Sequence, residues 1–147
     1  MAAATDQLAR LVATLEPSAV MYLVESGLST YPGPDDVRHV LGDLAAAQKD
    51  VLTRAARILA EREVVVPRAG FPLAFTGWHD ADLGSLLPRV VGGLRQQLGE
   101  LVCIAAAADD ASAATLAGEA ATATRRHLDR LTDLATRLRA GLAARPA

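Results

Sequence analysis

The segment Val64-Val65-Val66-Pro67-Arg68-Ala69-Gly70-Phe71-Pro72-Leu73-Ala74-Phe75-Thr76-Gly77-Trp78 joins two long aliphatic stretches with helical spacing. Its β-branched start ends at a proline, which disfavours helical backbone in the residue before it, so the chain leaves the preceding helix in extended form. Glycines and a second proline keep the remainder irregular. Both phenylalanines and the single tryptophan of the chain, Phe71, Phe75 and Trp78, fall within it. Connections of this length are ordinarily polar. Three large rings give this one enough apolar area to offset the entropy of ordering it against the helices. A long anchored strap carries the chain back to the end where the preceding helix began, so the helices on either side should run parallel. The same rings have a second reading as an apolar patch for another protein or a second copy, with a homodimer as its main form. We favour anchoring.

Before the strap, Val37, Val40, Leu41, Leu44, Val51, Leu52, Ala55, Ile58 and Leu59 recur at helical spacing over about residues 36 to 63. Asp35 and Asp36 offer a cap and favourable charge at its start. Ahead of that, Ser29-Thr30-Tyr31-Pro32-Gly33-Pro34 is a stop. The first helical region covers about residues 5 to 29, with a kink or restart expected at Pro17 and Ser18. After the strap, Leu83, Leu87, Val90, Leu94, Leu98 and Leu101 predict a third helix reaching about Ala108. Its cap is either Asp80 or Ser85; Pro88 then bends the helix or sits in its first turn. Gly92 and Gly93 imply close helix approach or local looseness. Asp109 to Ser112 form a turn, and a fourth helix runs from about 113 to 140, where Gly141 is expected to end it.

The connections therefore read short, long, short. That order resembles the ferritin-like four-helix bundle superfamily over nearly the whole chain. The resemblance implies one all-α domain spanning 1–147, a four-helix bundle with a long crossover between helices 2 and 3. In active members, a glutamate from each of two helices and a Glu-x-x-His pair from each of the others hold two metal ions. This chain departs from that pattern. Gln48 occupies the inward position of the second helix and is followed three residues on by Val51. His127 of the fourth is preceded by Thr124, Gln97 is the inward polar residue of the third with Glu100 on its flank, and the first offers Tyr22 and Glu25. Neutral amides cannot supply the negative charge that two Fe or Mn ions require. Tyr22, Gln48, Gln97 and His127 are instead expected to form a buried hydrogen-bonded layer, with no cofactor and no catalytic residue. The rival reading is an Fe- or Mn-binding oxidase or metal-handling protein with an unconventional site drawn from Glu25, Glu100, Glu119 and His127. A third is a small-ligand pocket beside Gly92 and Gly93.

A formal net charge of −2 and a pI near 5.9 create no basic field for nucleic acid. The arginines of the last helix are interleaved with Asp129 and Asp133 and read as a solvated face. Cys103, among Leu101, Val102 and Ile104, is expected to be buried and inert. His79-Asp80-Ala81-Asp82 reads as helix-start chemistry, and His39 as exposed. Ser, His and acidic residues show no nucleophile elbow, phosphate loop or zinc spacing. No run approaches the roughly 18 apolar residues of a membrane span, and the start lacks a basic, apolar leader. The expectation is a cytoplasmic, non-catalytic bundle acting as an interaction or structural module.

Overall fold

The structure, a computed structural model, describes residues 2–66, 70–79 and 81–144. It is all-helical, with no strand among the described residues. The elements are α1 (Ala2–Leu15), α2 (Ala19–Glu25), α3 (Asp35–Glu61), α4 (Leu83–Ala107) and α5 (Ala111–Ala144), with 3-10 turns at Leu28–Thr30 and Leu73–Trp78.

Pro17 separates α1 from α2, and the restart is capped: the Ser18 hydroxyl accepts from the Met21 N–H at 3.2 Å. Pro34 rather than an aspartate is the N-cap of α3; Asp35 and Asp36 lie in its first turn, where they complement the helix dipole. α3 leaves through a Schellman arrangement, with Glu63 N–H bonded to Ala60 O and Val64 N–H to Leu59 O. Glu63 takes the left-handed position at φ 58°, a place usually held by glycine. The cap of α4 is Asp82, not Ser85, and its carboxylate accepts from the Gly84 N–H at 2.7 Å. Asp80 lies outside the described residues, as does Pro67. Pro88 is therefore inside α4. Gly141 does not end the last helix, which continues to Ala144; helical backbone is open to glycine, and nothing there turns the chain away.

Two sets of contacts fix the helix directions. At one end, the Leu83 N–H donates to Pro32 O at 2.8 Å, joining the start of α4 to the start of α3. Gly33, at φ 142°, permits that approach, because a Cβ there would fall 2.9 Å from Leu83 Cβ. At the other end, Arg62 just past α3 pairs with Asp110 just past α4, at 3.1 Å. α3 and α4 are thus parallel, and α5, which returns beside Gly84 through Leu138, opposes both. α5 packs along α3 and α4, as does α1, while α3 and α4 touch each other little.

The core has two parts. One, at the tryptophan end, gathers Leu23, Tyr31, Leu41, Leu44, Trp78, Leu87 and Leu131 among others. The second, at the turn end, gathers Leu8, Leu11, Leu15, Leu59, Leu101 and Ile104 with Ala113, Ala117, Ala120 and Ala121. Among the described residues, the buried polar ones are Gln48, Gln97, Thr124 and His127, and they fall along the helices between these groups.

Cys103 is exposed, contrary to its neighbours' apolar character. Leu101 and Ile104 face the core three residues apart, which turns positions 102 and 103 outward. Gly92 and Gly93 are exposed as well, and a Cβ on either would meet nothing within 4 Å. They accommodate no close helix approach and line none of the four described grooves.

Candidate functional site

The middle of the molecule is crossed by a short chain of side-chain amides. Gln97 of α4 donates through Nε2 to the backbone carbonyl of Thr14, 3.1 Å away on α1. A carbonyl can only accept, so this bond sets which way the Gln97 amide points. Its Oε1 is then directed at α3, where Gln48 Nε2 donates to it at 2.7 Å. The same Nε2 donates its other hydrogen to Thr124 Oγ1 of α5 at 3.1 Å. One anchored carbonyl therefore orients two amides and ties four helices at a single level.

Gln48 has no exposed surface, and its Oε1 is left without a partner. Turning that amide over would bring two carbonyl oxygens together at Gln97, so the orphan acceptor follows from the anchoring. An unmet buried acceptor costs about 1–3 kcal/mol, and it is the weak point of the layer.

His127 is 5% exposed and lies one turn beyond Thr124 on α5, but its hydrogen bond stays within its own helix. Nδ1 lies 2.7 Å from Ala123 O, so that nitrogen carries the proton. Tyr22 is not part of the layer. It turns toward the strap, where its ring lies 5.3 Å from Phe71 and from Phe75 and 6.2 Å from Trp78. Phe75 and Trp78 are themselves 4.5 Å apart. Trp78 is buried and Phe71 and Phe75 are half-buried on the chain's own surface, which packs the strap against α2. Edge-to-face contacts with Phe71 and Trp78 and a tilted one with Phe75 hold the Tyr22 ring at the strap, away from the amides.

The acidic candidates diverge. Glu25 is exposed at the end of α2. Glu100 pairs with Arg10 at 2.7 Å on the surface between α4 and α1. Glu119 pairs with Arg54, tying α5 to α3, with a second contact at 3.1 Å. The Arg54 hydrogen bonds hold the Glu119 carboxyl below its usual range, and the same pair together with Asp50 raises the Arg54 guanidinium. None of these carboxylates points at His127, and no cluster of three metal-ligating side chains occurs among the described residues. His79 is exposed, Asp82 serves as a cap, and His39 is exposed beside Asp36, Arg130 and Asp133.

Thr124 and the Thr14 carbonyl are the members of the layer that the sequence did not announce. Thr124 stood out only as the wrong residue for a metal ligand. No family model, curated protein or solved structure matches the chain. Among the described residues, no helix is long and apolar enough to cross a membrane.

Proposed function

We propose that the chain is a non-catalytic four-helix bundle with a ferritin-like path, acting as an interaction or structural module. Parallel α3 and α4, joined by a long strap and each flanked by α1 and α5, support that path. The observation that carries the functional reading is the middle layer. Gln48, Gln97 and Thr124 spend their hydrogen bonds on one another and on Thr14, while Glu25, Glu100 and Glu119 face outward. A dinuclear Fe or Mn centre needs anionic oxygen donors at that level, and reorienting the glutamates would break two interhelical ion pairs. Protein purified from cells supplied with iron and manganese should carry well under one equivalent of either. Two equivalents per chain would overturn the reading and favour an unconventional metal site at His127. Self-association belongs to the proposal: Val65 and Leu73 stand 91% and 85% exposed beside the packed rings. Sedimentation equilibrium of the native chain and of Leu73→Asp checks it, and a monomer in both would remove that part.

A further inference from the structure

A groove of about 710 Å³ lies between α2, α3 and the Gly70–Phe71 part of the strap. Its size is within the range of small-ligand sites, roughly 300–1,000 Å³. The groove exists because α3 presents Gly42, Ala45 and Ala46 to it, side chains too small to fill the space left beside the short α2. Met21, Val24, Leu52 and Phe71 supply apolar walls. Val24 is 39% exposed there, an apolar side chain left open to water.

Two opposite charges border this apolar surface, Glu25 of α2 and Lys49 of α3. Among the described residues neither has a partner, and they are not paired with each other. Glu16 also borders the groove and has a contact of its own, which leaves Glu25 as the carboxylate able to receive a ligand. Lys49 borders the groove on its α3 floor and Glu25 on its α2 wall. A Cβ on Gly42 would touch Leu28, three residues beyond Glu25, so the floor runs from the turn after α2 at Gly42 toward Lys49. Lys49 is seven residues further along α3, about 10 Å at the usual helical rise. An eight-carbon chain spans that distance.

We propose that this groove binds a zwitterionic amphiphile, with an ammonium at Glu25, a carboxylate at Lys49 and an apolar body of about eight carbons along Gly42, Ala45 and Ala46. The site shares no residue with the amide layer, so it stands whether or not that layer is structural.

The test uses 8-aminooctanoate, octylamine and octanoate as probes on the full chain, read by calorimetry and by the fluorescence of Trp78. That residue is the only tryptophan, and it reaches the groove wall through Tyr22 and Phe71. The zwitterion should bind saturably, about two- to fivefold more tightly than either single-charge analogue, the range expected of exposed ion pairs. Glu25→Gln should bring 8-aminooctanoate to the octanoate level, and Lys49→Met should bring it to the octylamine level. Ala46→Phe, at an exposed position, should abolish binding of all three with unchanged melting. No saturable binding of the zwitterion overturns the proposal. So does equal binding of the analogues, or undiminished binding by a folded Ala46→Phe. Should that variant fail to fold, the two surface charge variants decide alone.

Discussion

The two ends of the core reach full burial by different means. At the tryptophan end the core is filled mostly by large side chains, and the strap lays Trp78 and Phe75 against them. The ion pairs there, Arg38 with Asp35 and Arg137 with Asp133, stay within one helix. At the turn end α5 contributes alanines, Ala113, Ala117, Ala120 and Ala121, so its backbone comes close to the leucines of α1, α3 and α4. Here three ion pairs cross between elements, Arg10 with Glu100, Arg54 with Glu119 and Arg62 with Asp110, while Arg54 also pairs with Asp50 inside α3. One end is secured by apolar area, which salt does not screen, and the other partly by surface charge, which it does.

The largest expected effect follows from the first of these modes. Trp78→Ala removes a side chain only 6% exposed and frees the strap that depends on it, at a cost of about 3–5 kcal/mol. Denaturant unfolding measures this, and limited proteolysis should show cleavage between α3 and α4. A loss below about 1 kcal/mol would mean that the strap merely rests on the tryptophan end. The turn end should fail in the opposite direction. Ala117, with no exposed surface, has no room for three more carbons, so Ala117→Leu should cost about 1–3 kcal/mol by overpacking. If it were neutral, the close approach of α5 would be slack, and the contrast between the ends would lose its basis.

Much of this architecture was legible because it depends on punctuation and period. Pro17 with Ser18 marked the break between α1 and α2, and Ser29 to Pro34 marked the stop before α3. Gln48 and Gln97 were visible as polar residues on apolar stripes, which is what burial of an amide looks like in one dimension. What period could not show is which polar group meets which. The layer hangs from the Thr14 carbonyl, a backbone atom that every residue carries and no sequence pattern singles out. Tyr22 has the spacing of a core residue, but the choice between amides and aromatic rings is made by the strap, distant in sequence. Cys103 was misjudged by composition where the 100° step between successive helix residues was the better guide. Glu63 ends α3 in a conformation that its residue type does not advertise.

Between the two ends, the amide layer tests whether polar contacts add stability or only specify how the halves join. Gln97→Leu strips Gln48 of one acceptor and leaves Thr14 O unmet, a cost of about 1–3 kcal/mol. Replacing the layer together, as Gln48→Met with Gln97→Leu and Thr124→Val, also removes the orphan Gln48 Oε1. That triple variant still leaves Thr14 O unmet but strands no side-chain amide or hydroxyl, so it should lose less than the sum of its single variants, a non-additive outcome. Additive losses in a double-mutant cycle would instead make the layer a net source of stability.

The smallest effect belongs to the charged rim of the turn end, and its sign can be worked out. Hydrogen bonds from Arg54 hold the folded-state pKa of Glu119 below its ordinary value of 4.5. A depressed carboxyl pKa stabilises the folded chain above the unfolded-state value, and that contribution disappears as pH falls through the folded-state value. Glu119→Gln should therefore melt slightly below the parent at neutral pH, and the two curves should converge in acid. Because the pair is exposed, added salt should narrow the neutral-pH gap. The same salt series at neutral pH applied to Asp133→Asn, whose partner Arg137 lies one turn along the same helix, gives the matched control at the tryptophan end. A rim that ties α3 to α5 should show the larger salt-sensitive gap; equal gaps would mean that the crossing ion pairs do no more than a pair within one helix.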